Sequence, residues 1–212
     1  MGRKDFIVAP SNAQAIGFID SWPNWTISAA AIYGPTGSGK SHIAAVWQSL
    51  AGAAMVSASD LSLTTGIPVV VEDVDLSSHE EECARALFHI LESATLMAPV
   101  LLTGRQPPSQ WPCALPDLRS RFAALASFPL WAPDDEMLAQ IARKLFADCQ
   151  LSVPDAVIDQ MLSSLERSPA AIRQFVALLN ERSLAKSKPV TLAMVRELLA
   201  NSPSPPSGER AG

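Results

Sequence analysis

The residues best suited to chemistry in this chain are Gly34, Gly39, Lys40 and Ser41, because GPTGSGKS at positions 34–41 spells a G-x-x-x-x-G-K-[ST] phosphate loop. In such a loop Gly37 and Gly39 let the backbone turn sharply, so that successive N–H groups and a helix N-terminus face an anion. Lys40 would reach the β- and γ-phosphates of a nucleotide, and the Ser41 hydroxyl would hold Mg²⁺. Four fixed positions arise by chance in only on the order of one per cent of chains this long. A glycine-rich turn with no ligand is the plainer alternative. Context weighs against it, since the apolar run Ile27 to Tyr33 reads as a buried strand and Lys40 to Leu50 as the helix that follows.

A second candidate set follows in PVVVEDVD at residues 68–75. A continuous valine run fits a strand buried on both faces, as in a parallel sheet. Such a strand running into acids has the shape of a Walker B element, in which one carboxylate serves the metal and another polarises the attacking water. Glu72 and Asp73 are the candidates, with a solvated strand end as the alternative. The run Val100 to Gly104 reads as another strand. Thr103 stands at its C-terminal end, on the sheet edge where ligands bind in open α/β folds.

The elements that must position these residues alternate. Residues 5–12, DFIVAPSN, place a strand-like run before Pro10, after which Ser11 or Asn12 caps a helix carrying Ala15, Ile16, Phe18 and Ile19. Trp22 and Trp25 read as packing residues. Strands are expected at 53–57 and 67–72, a helix at 79–96 with acids in its first turn, a Pro-rich loop at 108–117, a short helix at 118–124 and a fifth strand at 127–131. This order implies an α/β fold with a doubly wound parallel sheet over residues 1–132. From Asp134 the pattern becomes purely helical, at 135–149, 155–166, 169–185 and 191–200, which implies a small all-α domain over 133–200. The tail from Asn201, rich in Pro, Ser and Gly, reads as disordered.

The 212 residues include 48% hydrophobic and 17% charged side chains, enough for a substantial core. A net charge of −5 without a dense Lys/Arg cluster argues against a dedicated DNA-binding surface. Cys83, Cys113 and Cys149 are odd in number and widely spaced, which suits a reducing cytoplasm. His79 and Cys83 at helical spacing lack the further ligands a zinc site needs. MGRKDF is no signal peptide, and no stretch reaches the ~18 apolar residues of a membrane span, so a cytoplasmic location is expected.

The phosphate loop, the Walker B strand, LRSRF at 118–122 and AAIRQFVALLN at 170–180 together resemble the DnaA-like AAA+ family, and within it the regulatory Hda/HdaA branch. The likeness runs from about Asp5 to Leu199, and LRSRF is its most specific piece. It implies an AAA+ P-loop fold with a helical lid, ATP or ADP as ligand, and Mg²⁺ held by Ser41 and Glu72. It also implies nucleotide contacts from Val8 in the adenine-side segment, from Gly34, Pro35, Thr36, Gly37, Ser38, Gly39, Lys40, Ser41 and His42, and from Arg173 in the lid. Glu72, Asp73 and Thr103 would serve hydrolysis, and Arg121 would be an arginine finger reaching a neighbouring subunit's nucleotide. Outside that resemblance, Arg173 reads as a solvated helix residue and Arg121 as the partner of a nearby acid.

Three positions depart from the initiator pattern. Glu72 stands for an aspartate, Arg105 for the first sensor acid, and Asp117 for an arginine before the finger. They argue against efficient intrinsic hydrolysis and leave ADP as plausible a resident as ATP. The chain ends without a helix-turn-helix domain, and Ala58 to Gly66 is too short for a single-strand-gripping insertion, so recognition of origin DNA is not expected. The implied role is stimulation of hydrolysis of ATP bound to the initiator DnaA, with homo-oligomerisation also possible. Family members act while tethered to the DNA sliding clamp through a Q-L-x-L-P-like N-terminal segment, which the start MGRKDF lacks. QLSVP at 150–154 comes close, but it is expected to pack between lid helices. The competing functions are an autonomous AAA+ ATPase of helicase-loader type and a nucleotide-bound adaptor.

Overall fold

A computed structural model describes residues 7–58, 61, 66–186 and 188–201. The chain divides between Ala132 and Pro133 into two compact units. In the first, five strands form one parallel sheet: β1 (Ala29–Tyr33), β2 (Ala54–Ser57), β3 (Val69–Glu72), β4 (Val100–Gly104) and β5 (Ala126–Pro129), in the order β2-β3-β4-β1-β5. The helices are α1 (Ala13–Asp20), α2 (Lys40–Ala51), α3 (Val74–Ser77), α4 (Glu81–Ser93) and α5 (Pro116–Ala124).

Strand alternation divides the core between the two faces of the sheet. Ala31, Val69, Val71, Val100 and Leu102 face Leu87, Leu91, Leu118 and Phe122 of α4 and α5. Ala30, Ile32, Val70 and Leu101 face Ile16 and Ile19 of α1 and Ile43 and Trp47 of α2. With both faces covered, β3 and β4 are apolar up to their carboxyl ends, where Glu72 and Thr103 stand, which is why they begin as valine and leucine runs. Trp25 stacks on Trp47 with centroids 4.8 Å apart and on Phe18 at 4.1 Å, the packing role expected of it.

The second unit is helical: α6 (Asp135–Asp148), α7 (Asp155–Ser164), α8 (Pro169–Lys186) and α9 (Leu192–Asn201). Asp134 caps α6 by accepting the Met137 amide at 2.8 Å, and the Thr191 hydroxyl accepts the Met194 amide at 3.3 Å. Leu151 and Val153 of the QLSVP stretch are half-buried, and Pro154 caps α7.

Three local expectations are corrected. Residues 7–9 form no strand; the Asn12 side chain ties them down, accepting the Ala9 amide at 2.8 Å and donating to the Ile7 carbonyl at 2.9 Å, and it makes no capping bond to α1. The helix expected at 79–96 starts at Glu81 and ends at Ser93, because Thr95 and Ala98 close a turn there. A separate short helix, α3, precedes it. Asn201 closes α9, whereas residues 202–212, part of 58–66 and the first six residues lie outside the described residues.

Candidate nucleotide site at the carboxyl edge of the sheet

The candidate site is built where three strands end together. Tyr33 pairs with Gly104 and Val71 with Leu102, so the phosphate loop after β1, the acids after β3 and Thr103 of β4 meet at one edge. The Gly34 amide donates to the Gly104 carbonyl at 3.1 Å, which seats the start of the loop against β4. Only glycine fits there: a Cβ on Gly34 would lie 1.9 Å from the Leu130 carbonyl oxygen. Gly37 and Gly39 adopt φ of 80° and 102°, the left-handed turn that opens α2 and leaves its first amides without intrahelical partners.

Lys40, 8% exposed, folds over the loop, its Nζ donating to the Gly34 carbonyl at 2.8 Å and the Pro35 carbonyl at 3.0 Å. Burial pushes its pKa below the ordinary lysine value. Asp73 and Asp75 push it back up, Arg105 lowers it, and Glu72 raises it. Lysine, three carboxylates and an arginine therefore share one electrostatic neighbourhood. Pro35, Thr36, Gly37 and Ser41 are exposed on the loop, and Ser38 is buried.

Asp73 has φ 53° and ψ 41°, a left-handed conformation rare outside glycine and tolerated by aspartate. Such a residue costs about 1–3 kcal/mol and persists only where its surroundings hold it. The holding contact is the Thr103 hydroxyl, which accepts the Asp73 amide at 3.2 Å. Thr103 is 1% exposed, so this hydroxyl is part of the core edge and fixes the turn that presents the acids.

Glu72 Oε1, Asp75 Oδ1 and Ser38 Oγ are buried without a hydrogen-bond partner. Buried polar atoms are ordinarily paired, so three orphans on one rim suit a polar or ionic ligand. The same atoms answer whether the residues fit Mg²⁺. No group of three or more His, Cys, Asp and Glu placed for a metal occurs among the described residues. Mg²⁺ keeps several waters and takes one or two carboxylates plus phosphate oxygens, a share that the unpartnered Glu72 Oε1 with the Ser41 hydroxyl would meet.

Asp75 went unnoticed in the sequence as a site residue, although it is the third acid of EDVD. Its Oδ2 accepts the Arg105 amide at 3.0 Å, tying the turn after β3 to the end of β4. The other candidates are distributed. Val8 is 55% exposed in the irregular segment before α1, and His42 is half-buried in the first turn of α2. Arg173 is half-buried on α8 of the second unit.

Arg121 lies at the far end of the first unit. It sits in the last turn of α5, its Cζ 4.6 Å from the centre of the Phe88 ring and its Nη2 3.7 Å from Glu92 Oε1. Glu92 is near the end of α4, just ahead of β4, and α5 leads directly into β5. Val100 and Ala126, at the starts of those strands, pair with Ala29 and Ala30 at the start of β1. Arg121 is therefore toward the amino edge of the sheet, whereas its own phosphate loop is at the carboxyl edge.

Solved structures of several proteins share this fold. Domain III of the Thermotoga maritima replication initiation protein DnaA superposes with a TM-score of 0.76 at 18% identity, over 94% of this chain and 95% of that one. The chain has an AAA+ fold. AMPPCP-bound DnaA from Aquifex aeolicus gives 0.74 at 20% identity, over 88% of this chain and 69% of that one. A Thermotoga maritima RuvB variant gives 0.67 at 14%, over 92% and 70%. No protein-family model matches the sequence, and no curated protein matches it either. No helix among the described residues is long and apolar enough to cross a membrane.

Proposed function

We propose that this chain is a nucleotide-binding AAA+ regulator of chromosomal replication initiation, which stimulates hydrolysis of ATP held by the initiator DnaA through Arg121 acting in trans. The observation that carries the reading is the placement of Arg121 on the opposite edge of the sheet from its own phosphate loop. An arginine so placed serves a nucleotide only if a second molecule presents one. The fold likeness to DnaA domains supports the choice of partner, and the AMPPCP bound to one such neighbour supports an adenine nucleotide, ATP or ADP, as ligand.

In this reading the amides of Gly37 to Ser41 hold the phosphates, and Lys40 exchanges its loop carbonyls for phosphate oxygens. Mg²⁺, when bound, neutralises charge between the phosphates. Ser41 and Glu72 would hold it, while Asp73, fixed by Thr103, is the carboxylate nearest in kind to a water-orienting base. Arg121 stabilises phosphate charge on the partner's ATP, an effect worth roughly 10³ to 10⁵ in rate where such fingers have been measured.

The test is hydrolysis of ATP by DnaA, with DNA-loaded sliding clamp present, in the presence of this protein or its Arg121→Ala variant. Acceleration that disappears in the variant is the expected result. Equal acceleration by both proteins would replace the finger with an adaptor role. Turnover by this protein alone, at a rate matching the mixture, would favour an autonomous ATPase.

A further inference from the structure

We propose that Glu92 is a positioning residue for Arg121: its carboxylate retains the guanidinium on α4 and is exchanged for phosphate oxygens when the arginine reaches a partner's nucleotide. The inference rests on the trans-acting arginine of the reading above and adds what limits its strength.

The contacts around Arg121 are of two kinds. Phe88 and Glu92 stand one turn apart on α4 and share a face. Arg121 reaches across from α5 onto that face, its Cζ 4.6 Å from the centre of the Phe88 ring and its Nη2 3.7 Å from Glu92 Oε1. The ring holds the cation through its face and carries no charge that a phosphate would have to displace. The carboxylate differs, because it and a phosphate compete for the same donors.

The pair is loose enough to exchange. Charge-assisted bonds from a guanidinium run at about 2.7–2.9 Å, as Arg182 shows with Glu197 at 2.7 Å. The 3.7 Å between Arg121 and Glu92 is an ion pair without a hydrogen bond. Glu92 is also shared, its Oε2 lying 4.0 Å from His89 Nδ1. Both side chains are open to solvent, 40% for Arg121 and 57% for Glu92, so water weakens their attraction. On an approaching partner the two charges act in opposite ways, since Arg121 attracts phosphate and Glu92 repels it. Phe88 therefore orients the arginine, while Glu92 retains it and opposes its delivery.

Two measurements test this on the full chain and its Glu92→Gln variant, which removes the charge and keeps the size of the side chain. The first is the rate at which phenylglyoxal modifies Arg121, read by mass spectrometry, and it needs no partner. Modification about two- to fivefold faster in Glu92→Gln is expected, the range an exposed ion pair supports. Equal rates would overturn the assignment. The second is hydrolysis of ATP by DnaA at saturating amounts of each protein, which should rise by about the same factor with Glu92→Gln and fall to the unstimulated rate when Arg121→Ala is added. A slower or unchanged rate would overturn the proposal by showing that Glu92 does not oppose delivery. A rise that survives Arg121→Ala would overturn it too, since Glu92 would then act by its own charge. Faster modification with no stimulation by the unsubstituted protein would instead remove the trans-acting role of Arg121 itself, and the exchange for phosphate with it.

Discussion

The two edges of the sheet treat charge in opposite ways. At the carboxyl edge, Lys40 is buried, Asp73 is held in a left-handed turn, and Ser38, Glu72 and Asp75 each leave a buried oxygen unpartnered. At the amino edge Arg121 is satisfied without strain, stacked on Phe88, paired with Glu92 and with 40% of its side chain open to solvent. The first arrangement costs the fold free energy, which a bound cation or hydrogen-bond donor at the carboxylates and an anion at Lys40 would offset. The second costs almost nothing and leaves a cation oriented at the surface. One edge thus carries buried groups without partners, and the other a paired arginine partly open to solvent.

Substitutions sharpen this contrast. The largest effect is expected at the carboxyl edge from Gly34→Ala, whose Cβ would meet backbone at 1.9 Å. Thermal unfolding should show a loss of about 3 kcal/mol, the upper range of overpacking penalties. Asp73→Ala should cost about 1 kcal/mol because alanine tolerates the left-handed turn less well than aspartate, whereas Asp73→Gly should show no such loss. If both variants melt together, the turn is not strained. At the amino edge Arg121→Ala should change stability by less than about 1 kcal/mol, since its ion pair and ring contact are half-exposed. A larger drop would make Arg121 a structural residue and erase the contrast.

The smallest effect concerns the core between the edges. Burial, aided by Glu80, pushes the Cys83 thiol up to about 11, and its Sγ–H donates to the Ala58 carbonyl at 2.9 Å. Its folded pKa lies above the ordinary value of 9.0, so the stability it contributes is complete below pH 9 and is lost as pH rises toward 11. Thiol labelling of the native protein at pH 8 should therefore spare Cys83 and reach the half-buried Cys113 and Cys149 first. Early labelling of Cys83 would show that the face of the sheet under α4 opens readily.

The features legible in the sequence are those set by neighbours along the chain. GPTGSGKS carries its own turn chemistry, and the valine run of β3 announces a strand covered on both sides. Glu72, Asp73 and Thr103 were each identifiable as strand-end residues, because α/β sheets collect their ligands at that edge. The contact that joins them, from the Asp73 amide to the Thr103 hydroxyl, depends on β3 lying beside β4, and one sequence does not reveal strand order. Asp75 was missed for the same reason, as its partner is 30 residues away. Phe88 and Glu92 read simply as members of an amphipathic helix; only the packing of α4 on α5 makes them the seat of Arg121. The strand expected before Pro10 failed because a local side-chain bond from Asn12 outcompeted an apolar run too short to pair.

The central claim is that holding a nucleotide and offering an arginine are separate properties of opposite edges. Equilibrium binding of fluorescent ADP with Mg²⁺ to the unsubstituted protein, Lys40→Ala and Arg121→Ala tests it most directly. Lys40→Ala should weaken binding roughly ten- to a hundredfold, as the loss of a charge-assisted contact worth roughly 1.5–3 kcal/mol implies, and Arg121→Ala should bind as tightly as the unsubstituted protein. Loss of binding in Arg121→Ala, or its persistence in Lys40→Ala, would contradict the account.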